Sequence, residues 1–363
     1  MIPLFKIFHP QNVGQQIEEV FASGFLTEGE YSDRFEEEFG AFIRNSNTCL
    51  TNSCTSALTL AYHVTGIGPG SEVISTPLTC MATNEPIYHS GAKIVWADID
   101  PETGNIDPND VARKITDSTR AVVGVHWAGQ PFDIDGIRDA IGDRDIAIVA
   151  DAAHALGSSY KQNPIGSVAD FTCFSFQAIK HMTTGDGGAV SCVNEKHAER
   201  IRKLRWYGLD RRIKGSTRWD QNIDDAGFKM HMNNLTASIG LLQLQDVSSR
   251  INRHKANGAF YDANIDNPKI TKLKRDKNSV SSQWIYSILV DDINAFKEHM
   301  SSNGIATDIV HLRNDKYECF KDFDIYSLSG CDYFCKRLMN IPVGWWLSDS
   351  DRNKIVDAVN NYE

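Results

Sequence analysis

The chain lacks the marks of several protein classes. No stretch of it approaches the ~18 consecutive apolar residues that a membrane-spanning helix needs. There are no internal repeats and no low-complexity tracts. It has no positive balance either: the formal net charge is -10, which argues against non-specific nucleic-acid binding, where a basic face is needed. A small anionic ligand is not excluded, because it needs only a local positive pocket. The 8 cysteines show no metal-type pairing. Cys331 and Cys335 come closest, four residues apart with no His beside them. Most of the thiols sit in apolar stretches, where free Cys behaves as a small hydrophobe. A reducing, cytoplasmic setting is expected. The opening MIPLFKIFHPQN is too short and too interrupted in its apolar run for a secretory signal.

Hydrophobic residues make up 41% and charged residues 23%, ordinary usage for a globular chain with a large core. Residues 16–43 read as helices on either side of a turn at 27–32, with Phe35, Phe39 and Phe42 at helical spacing. Asn52 and Ser53 can cap a helix that carries Ala57, Leu58, Leu60 and Ala61 and ends at Gly66–Gly70. Near-continuous apolar runs follow at 72–76, 93–100, 121–129 and 146–155, separated by segments of helical length. Such runs signal strands buried on both faces, as in a parallel sheet. A long helical region is expected over 227–265, then a strand at 284–290, and a final helix opened by the capping box Ser348-x-x-Asp351. The expected fold is α/β: a three-layer α/β/α large domain with a mainly parallel sheet over 1–245, and a smaller α+β domain over 246–363.

Ligands of open α/β sheets bind outside the carboxyl ends of the strands, and three segments fall there. In "NSCTSA" a capped helix start offers unpaired N–H groups and a partial positive charge, with hydroxyls from Ser53 and Thr55. In "VADAAHALG", Asp151 ends a buried strand and His154 follows. In "FSFQAIKHMTTGDGG", Ser175 and Lys180 follow a strand, and Gly185, Gly187 and Gly188 allow close backbone approach. Taken singly, each also reads as ordinary structure: a cap, an N-terminal carboxylate, a loop lysine. Together they are the parts that pyridoxal 5'-phosphate (PLP) needs: an amine for the Schiff base, a carboxylate for the pyridine nitrogen and a phosphate-binding helix start.

Those segments, with "FLTEGEYSDRFEEEF", "GAKIVWADIDPETGNIDP", "VVGVHWAGQPFDID" and "GFKMHMNNLTASIGLLQL", resemble the DegT/DnrJ-type nucleotide-sugar aminotransferases along almost the whole chain. The resemblance implies the fold type I architecture of PLP enzymes. It implies Lys180 as the Schiff-base lysine, Asp151 as the ring-nitrogen partner and His154 as a cofactor contact. Cys54, Thr55 and Ser175 fall at the family's phosphate positions. Family members are usually homodimers with sites at the interface, so His231 or Asn233 would reach the partner's phosphate. Phe25, Leu26 and Thr27 would border the sugar, and His311 and Arg313 are candidate ligands of its diphosphate. One departure is plain: Cys80 and Met81 stand where many members carry an aromatic that stacks on the ring, leaving Met81 or Trp127 to cover it.

The implied reaction transfers an amino group from an amino acid such as glutamate, leaving pyridoxamine 5'-phosphate, to a nucleotide-linked 3-keto- or 4-keto-6-deoxy sugar in surface-polysaccharide synthesis. Two alternatives stand beside it. A PLP-dependent sugar 3-dehydratase would carry a His at the lysine position, and His181 is the very next residue. A non-catalytic PLP-binding regulator would have dispensed with Asp151 or Lys180, and both are present.

Overall fold

A computed structural model describes residues 1–213, 220–323 and 327–363. Among these residues the helices are α1 (Val13–Ser23), α2 (Glu30–Phe42), α3 (Cys54–Val64), α4 (Met81–His89), α5 (Pro108–Lys114), α6 (Ile134–Ile141), α7 (Glu195–Leu204), α8 (Asn234–Asn264), α9 (Ile293–Ser302), α10 (Ser329–Cys335) and α11 (Asp349–Asn360). The first nine strands are β1 (Thr48–Thr51), β2 (Glu72–Ser75), β3 (Lys93–Trp96), β4 (Thr119–Val125), β5 (Ala147–Asp151), β6 (Ser159–Tyr160), β7 (Asn163–Pro164), β8 (Phe171–Ser175) and β9 (Gly188–Cys192). Four more follow: β10 (Ile270–Lys272), β11 (Ser279–Val280), β12 (Tyr286–Val290) and β13 (Leu338–Ile341).

A 7-stranded sheet runs in the order β1-β9-β8-β5-β4-β2-β3. Pairings from β3 through β8 are parallel, and β9 and β1 close one edge antiparallel. Side chains of successive strand residues enter opposite cores. Val73, Val123, Val149 and Cys173 pack with α3, α4 and α7 on one face. Ile74, Val122, Ile148 and Phe174 pack with α2, α6 and α8 on the other. This is the expected three-layer α/β/α arrangement with a mostly parallel sheet.

A second, 3-stranded antiparallel sheet, β10-β12-β13, has its own core around Tyr261, Phe296, Met300 and Ile355. Helix α8 contributes Leu241 and Ile251 to the first region and Tyr261 to the second. The expected division at 245/246 therefore falls inside one unbroken helix. We propose that the second unit, 246–363, shares α8 with the first.

Two boundaries differ from the sequence expectation, each for a local reason. The apolar run 146–155 leaves the sheet at Asp151, because its Oδ1 accepts the backbone N–H of Ala153 (3.0 Å) and turns the chain. The long helix starts at Asn234 rather than 227. The preceding residues are extended, bridged to the sheet at Thr51–His231, and Asn233 caps the helix by accepting the N–H of Thr236 at 2.8 Å.

Candidate active site

The carboxyl ends of β5 and β8 bring Asp151 and Lys180 together. Asp151 is buried, and burial raises its pKa, while Lys180 and two hydrogen bonds favour the ionised form. Those bonds are the Ala153 N–H on Oδ1 and the Thr83 hydroxyl on Oδ2 (2.7 Å). The Thr79 hydroxyl lies 2.7 Å from that of Thr83. Since Thr83 donates to Asp151, Thr79 donates to Thr83, giving a two-hydroxyl chain that ends on the carboxylate.

Lys180 is half-buried on the turn after β8. Burial pulls its pKa down to about 8, against the opposing pull of Asp151, from a reference near ~10.4. Its Nζ lies 3.8 Å from the ring centroid of Trp284. The same indole stacks on the His154 ring, with centroids 3.9 Å apart and planes at 11°. His154 Nε2 is 3.3 Å from His311 Nε2. Burial keeps both imidazoles neutral, bringing His311 down to about 3 and His154 well below its ordinary value. His154 Nδ1 is buried with no partner among the described residues.

The start of α3 completes the group. Ser53 caps the helix by accepting the N–H of Ser56 at 3.1 Å. In register, Ser175 of β8 faces Gly188 of β9. A Cβ at Gly188 would lie 2.5 Å from the backbone N of Cys54, so only glycine lets this strand run against the helix start. Cys54 is buried within electrostatic range of Asp151 and Lys180, and Thr55 beside it is half-buried.

The remaining expected residues divide. Thr27, His231 and Asn233 gather around the start of α8. There the backbone N–H of Asn234 bonds Leu26 O (3.0 Å) and its side-chain amide bonds Phe25 O (2.7 Å). Thr27 is exposed. His231 packs edge-on to Trp206 with centroids 4.0 Å apart, and burial lowers its pKa to about 3. This group joins the α3 start through the Thr51–His231 bridge and a bond from Asn52 N–H to Met230 O. The pair in "VHLRND" is split: His311 meets His154, whereas Arg313 is ion-paired to Asp315 (2.7 Å) and to Asp332. Two carboxylates meet the Arg313 charge in this structure, and its expected role as a ligand of the substrate's diphosphate stays a proposal.

Trp127, a candidate ring cover, is fully buried and sits edge-on to both His154 and His311 (6.1 Å each), its Nε1–H given to Ser287 Oγ. Sequence reasoning missed Thr83 and Trp284. Thr79 lies just before α4 and Thr83 in its first turn, so the pair carried only a weak signal in the sequence. Trp284 carried none, since an aromatic before a strand is ordinary core.

A mostly parallel α/β sheet that brings a carboxylate, a low-pKa amine and a capped helix start to one point defines a PLP-dependent enzyme of the fold type I class. The chain matches the family model described as the DegT/DnrJ/EryC1/StrS aminotransferase family over residues 10–360, and it belongs to that family. Members are sugar aminotransferases, which are PLP-dependent transaminases. Spore coat polysaccharide biosynthesis protein SpsC of Bacillus subtilis (strain 168) is 34% identical, over 95% of this chain and 92% of its own length. The dTDP-4-dehydro-2,3,6-trideoxy-D-glucose 4-aminotransferase of Saccharopolyspora spinosa is 30% identical, over 94% of this chain and 91% of its own. The crystal structure of AtS13 from Actinomadura melliaura superposes with a TM-score of 0.95 at 37% identity, covering 99% of this chain and 98% of that one. No described helix is long and apolar enough to cross a membrane.

Proposed function

We propose that this transaminase moves an amino group from an amino acid, glutamate by preference, onto a nucleotide-linked keto-sugar. The acceptor in this reading is a 3-keto- or 4-keto-6-deoxy sugar, the product an amino sugar for surface polysaccharide, and the working form a cytoplasmic homodimer. The names of the polysaccharide and dTDP-sugar relatives support the substrate class. The observation that carries the reading is Lys180 within electrostatic reach of the buried Asp151, at the carboxyl ends of β5 and β8.

The residues present fit PLP. A buried carboxylate, an orphaned buried His154 Nδ1 and a glycine-cleared helix start each need a partner of that kind. When bound, PLP supplies an electrophilic aldehyde and an electron-withdrawing protonated ring. Lys180 Nζ would be the amine presented to that aldehyde, and, displaced from it while a substrate is bound, it would take a proton from one carbon and return it to another. A pKa near the working pH suits both directions. Asp151, whose ionised form Thr83 and the Ala153 N–H favour against its burial, would keep a proton on the ring nitrogen. A buried carboxylate is stable there only opposite a cation. The N–H groups and dipole at the α3 start, with Cys54, Thr55 and Ser175, would hold the phosphate. His154 would contact the cofactor, and His311 would be a ligand of the substrate's diphosphate. Thr27, His231 and Asn233 serve the partner's site.

The dehydratase alternative needs a histidine where Lys180 is. His181 is occupied elsewhere: its Nε2 lies 3.1 Å from Ser282 O, and since a carbonyl only accepts, that nitrogen carries the hydrogen. A regulator without catalysis would not need Asp151 and Lys180 in mutual range.

The test is borohydride reduction of the holoenzyme, peptide mapping, and a screen of nucleotide-linked keto-sugars with glutamate. A pyridoxyl mass on Lys180 and glutamate-dependent amination are expected. Bound cofactor without an adduct on Lys180 would remove the lysine from its role, and no half-reaction with any amino acid would favour the regulator.

A further inference from the structure

Lys180 spends part of any transaminase cycle unattached, and it then needs a defined place. Free lysine amines are usually met by carboxylates or carbonyls. Here Nζ lies over an indole face instead, 3.8 Å from the Trp284 centroid. Trp284 is buried, its ring also stacks on His154 with centroids 3.9 Å apart, and three further contacts hold it. Its Nε1–H donates to Ile179 O at 2.9 Å, the carbonyl directly before Lys180. Its backbone N–H donates to Ala128 O at 3.0 Å. Phe5, from the first residues of the chain, stacks on it with centroids 5.2 Å apart. The indole therefore touches the lysine's side-chain end and the backbone of its turn at once.

We propose that Trp284 is the positioning residue of Lys180: its ring face is the resting place of the ammonium whenever the amine is not bonded to the cofactor, and its Nε1–H fixes the turn that carries the lysine. This rests on Lys180 being the reactive amine. An aromatic quadrupole attracts the charged form, so Trp284 opposes the burial that lowers the Lys180 pKa. Without it the amine would lose its proton more readily and hold no fixed orientation. With it, a proton is kept within the site, ready for return to carbon.

Other groups also act on this amine. Asp151, Cys80 and Cys54 face it from β5, from the residue before α4 and from α3. His154, His181 and His311 are close enough to feel its charge. None of these is altered in the variants below.

The test uses the full-length protein freed of cofactor. The rate at which trinitrobenzenesulfonate modifies Lys180 is followed against pH, with mass mapping at that residue. The wild-type midpoint is expected near 8. Trp284→Leu, which loses ring and N–H, should lower it by about 0.5–1 unit, or about three- to tenfold more free amine at a fixed pH below the midpoint. Trp284→Phe, which keeps a ring, should fall between the two. If Trp284→Leu does not fold, ring-fluorinated tryptophan replaces it. Fluorination weakens the quadrupole at nearly constant shape, and the midpoint should drop stepwise with each added fluorine. An unmoved midpoint in Trp284→Leu or across the fluorinated series overturns the proposal, as does a Phe variant identical to Leu. The two readings fail separately: a missing pyridoxyl adduct on Lys180 strikes the function, whereas an unmoved midpoint strikes the role of Trp284.

Discussion

Lys180 and His181 are neighbours in the chain and opposites in their surroundings. Lys180 faces Asp151, a tryptophan ring and a helix start, and no carbonyl among the described residues takes its protons. His181 gives Nε2–H to Ser282 O and packs edge-on to His254, with centroids 4.7 Å apart. His254 in turn gives Nδ1–H to Gln283 O at 2.8 Å, and Arg250 gives Nη2 to the Gln243 carbonyls at 2.8 Å each. Burial lowers the pKa of both neighbours, yet one ends as a poised amine and the other as part of a satisfied polar layer. Burial alone thus does not make a reagent. The number of acceptors already engaged decides whether a buried base is left free to act.

Replacing each side of this contrast should have different consequences. The largest effect is expected from Lys180→Ala, which removes the amine that faces Asp151. The amino-acid half-reaction should slow by about 10⁴-fold or more, with the melting temperature nearly unchanged. Activity within tenfold of wild type would erase the distinction between the neighbours. Asp151→Asn should follow, at about 10²–10³-fold in the same stopped-flow assay, because one preorganised charge is lost from a buried site. A near-normal rate would show that the ring nitrogen does not depend on it.

Thr83→Val removes the hydroxyl that favours the ionised Asp151, so its pKa should rise further. The expected loss is about tenfold, and it should be deepest at low pH, where the unassisted carboxylate protonates first. A uniform loss across pH would instead indicate a packing defect. His181→Ala should change the half-reaction least, by no more than about threefold, while lowering stability by roughly 1–3 kcal/mol through a lost buried hydrogen bond. Urea melts beside the rate assay separate the two. A large kinetic effect with unchanged stability would return His181 to the catalytic group.

Much of this was readable in advance, element by element. The apolar runs marked the parallel strands because strands covered on both faces have no polar side to display. Ser53 and the Ser348–Asp351 box marked helix starts because their hydroxyls satisfy N–H groups that the helix leaves open. The antiparallel edge formed by β1 and β9 was not legible: strands of four and five residues are too short to show a period. The switch from extended chain to helix at Asn233 was hidden by the helical spacing of residues on either side. The pairing of Arg313 with Asp315 and Asp332 was not legible, because both are ordinary acids in the sequence.

By itself the sequence determined the α/β class, the strand ends that carry Asp151 and Lys180, and the capped start of α3. These follow from local patterning and spacing, which the chain carries wherever it folds. Only the tertiary structure decided that Lys180 rather than His181 faces Asp151, that Thr83 supports the carboxylate, and that Trp284 lies under the amine. Those pairings join residues up to about a hundred positions apart, as Trp284 and Ile179 do across 105. Which of two adjacent bases is left without an acceptor depends on what the folded chain brings to it, and no local pattern encodes that.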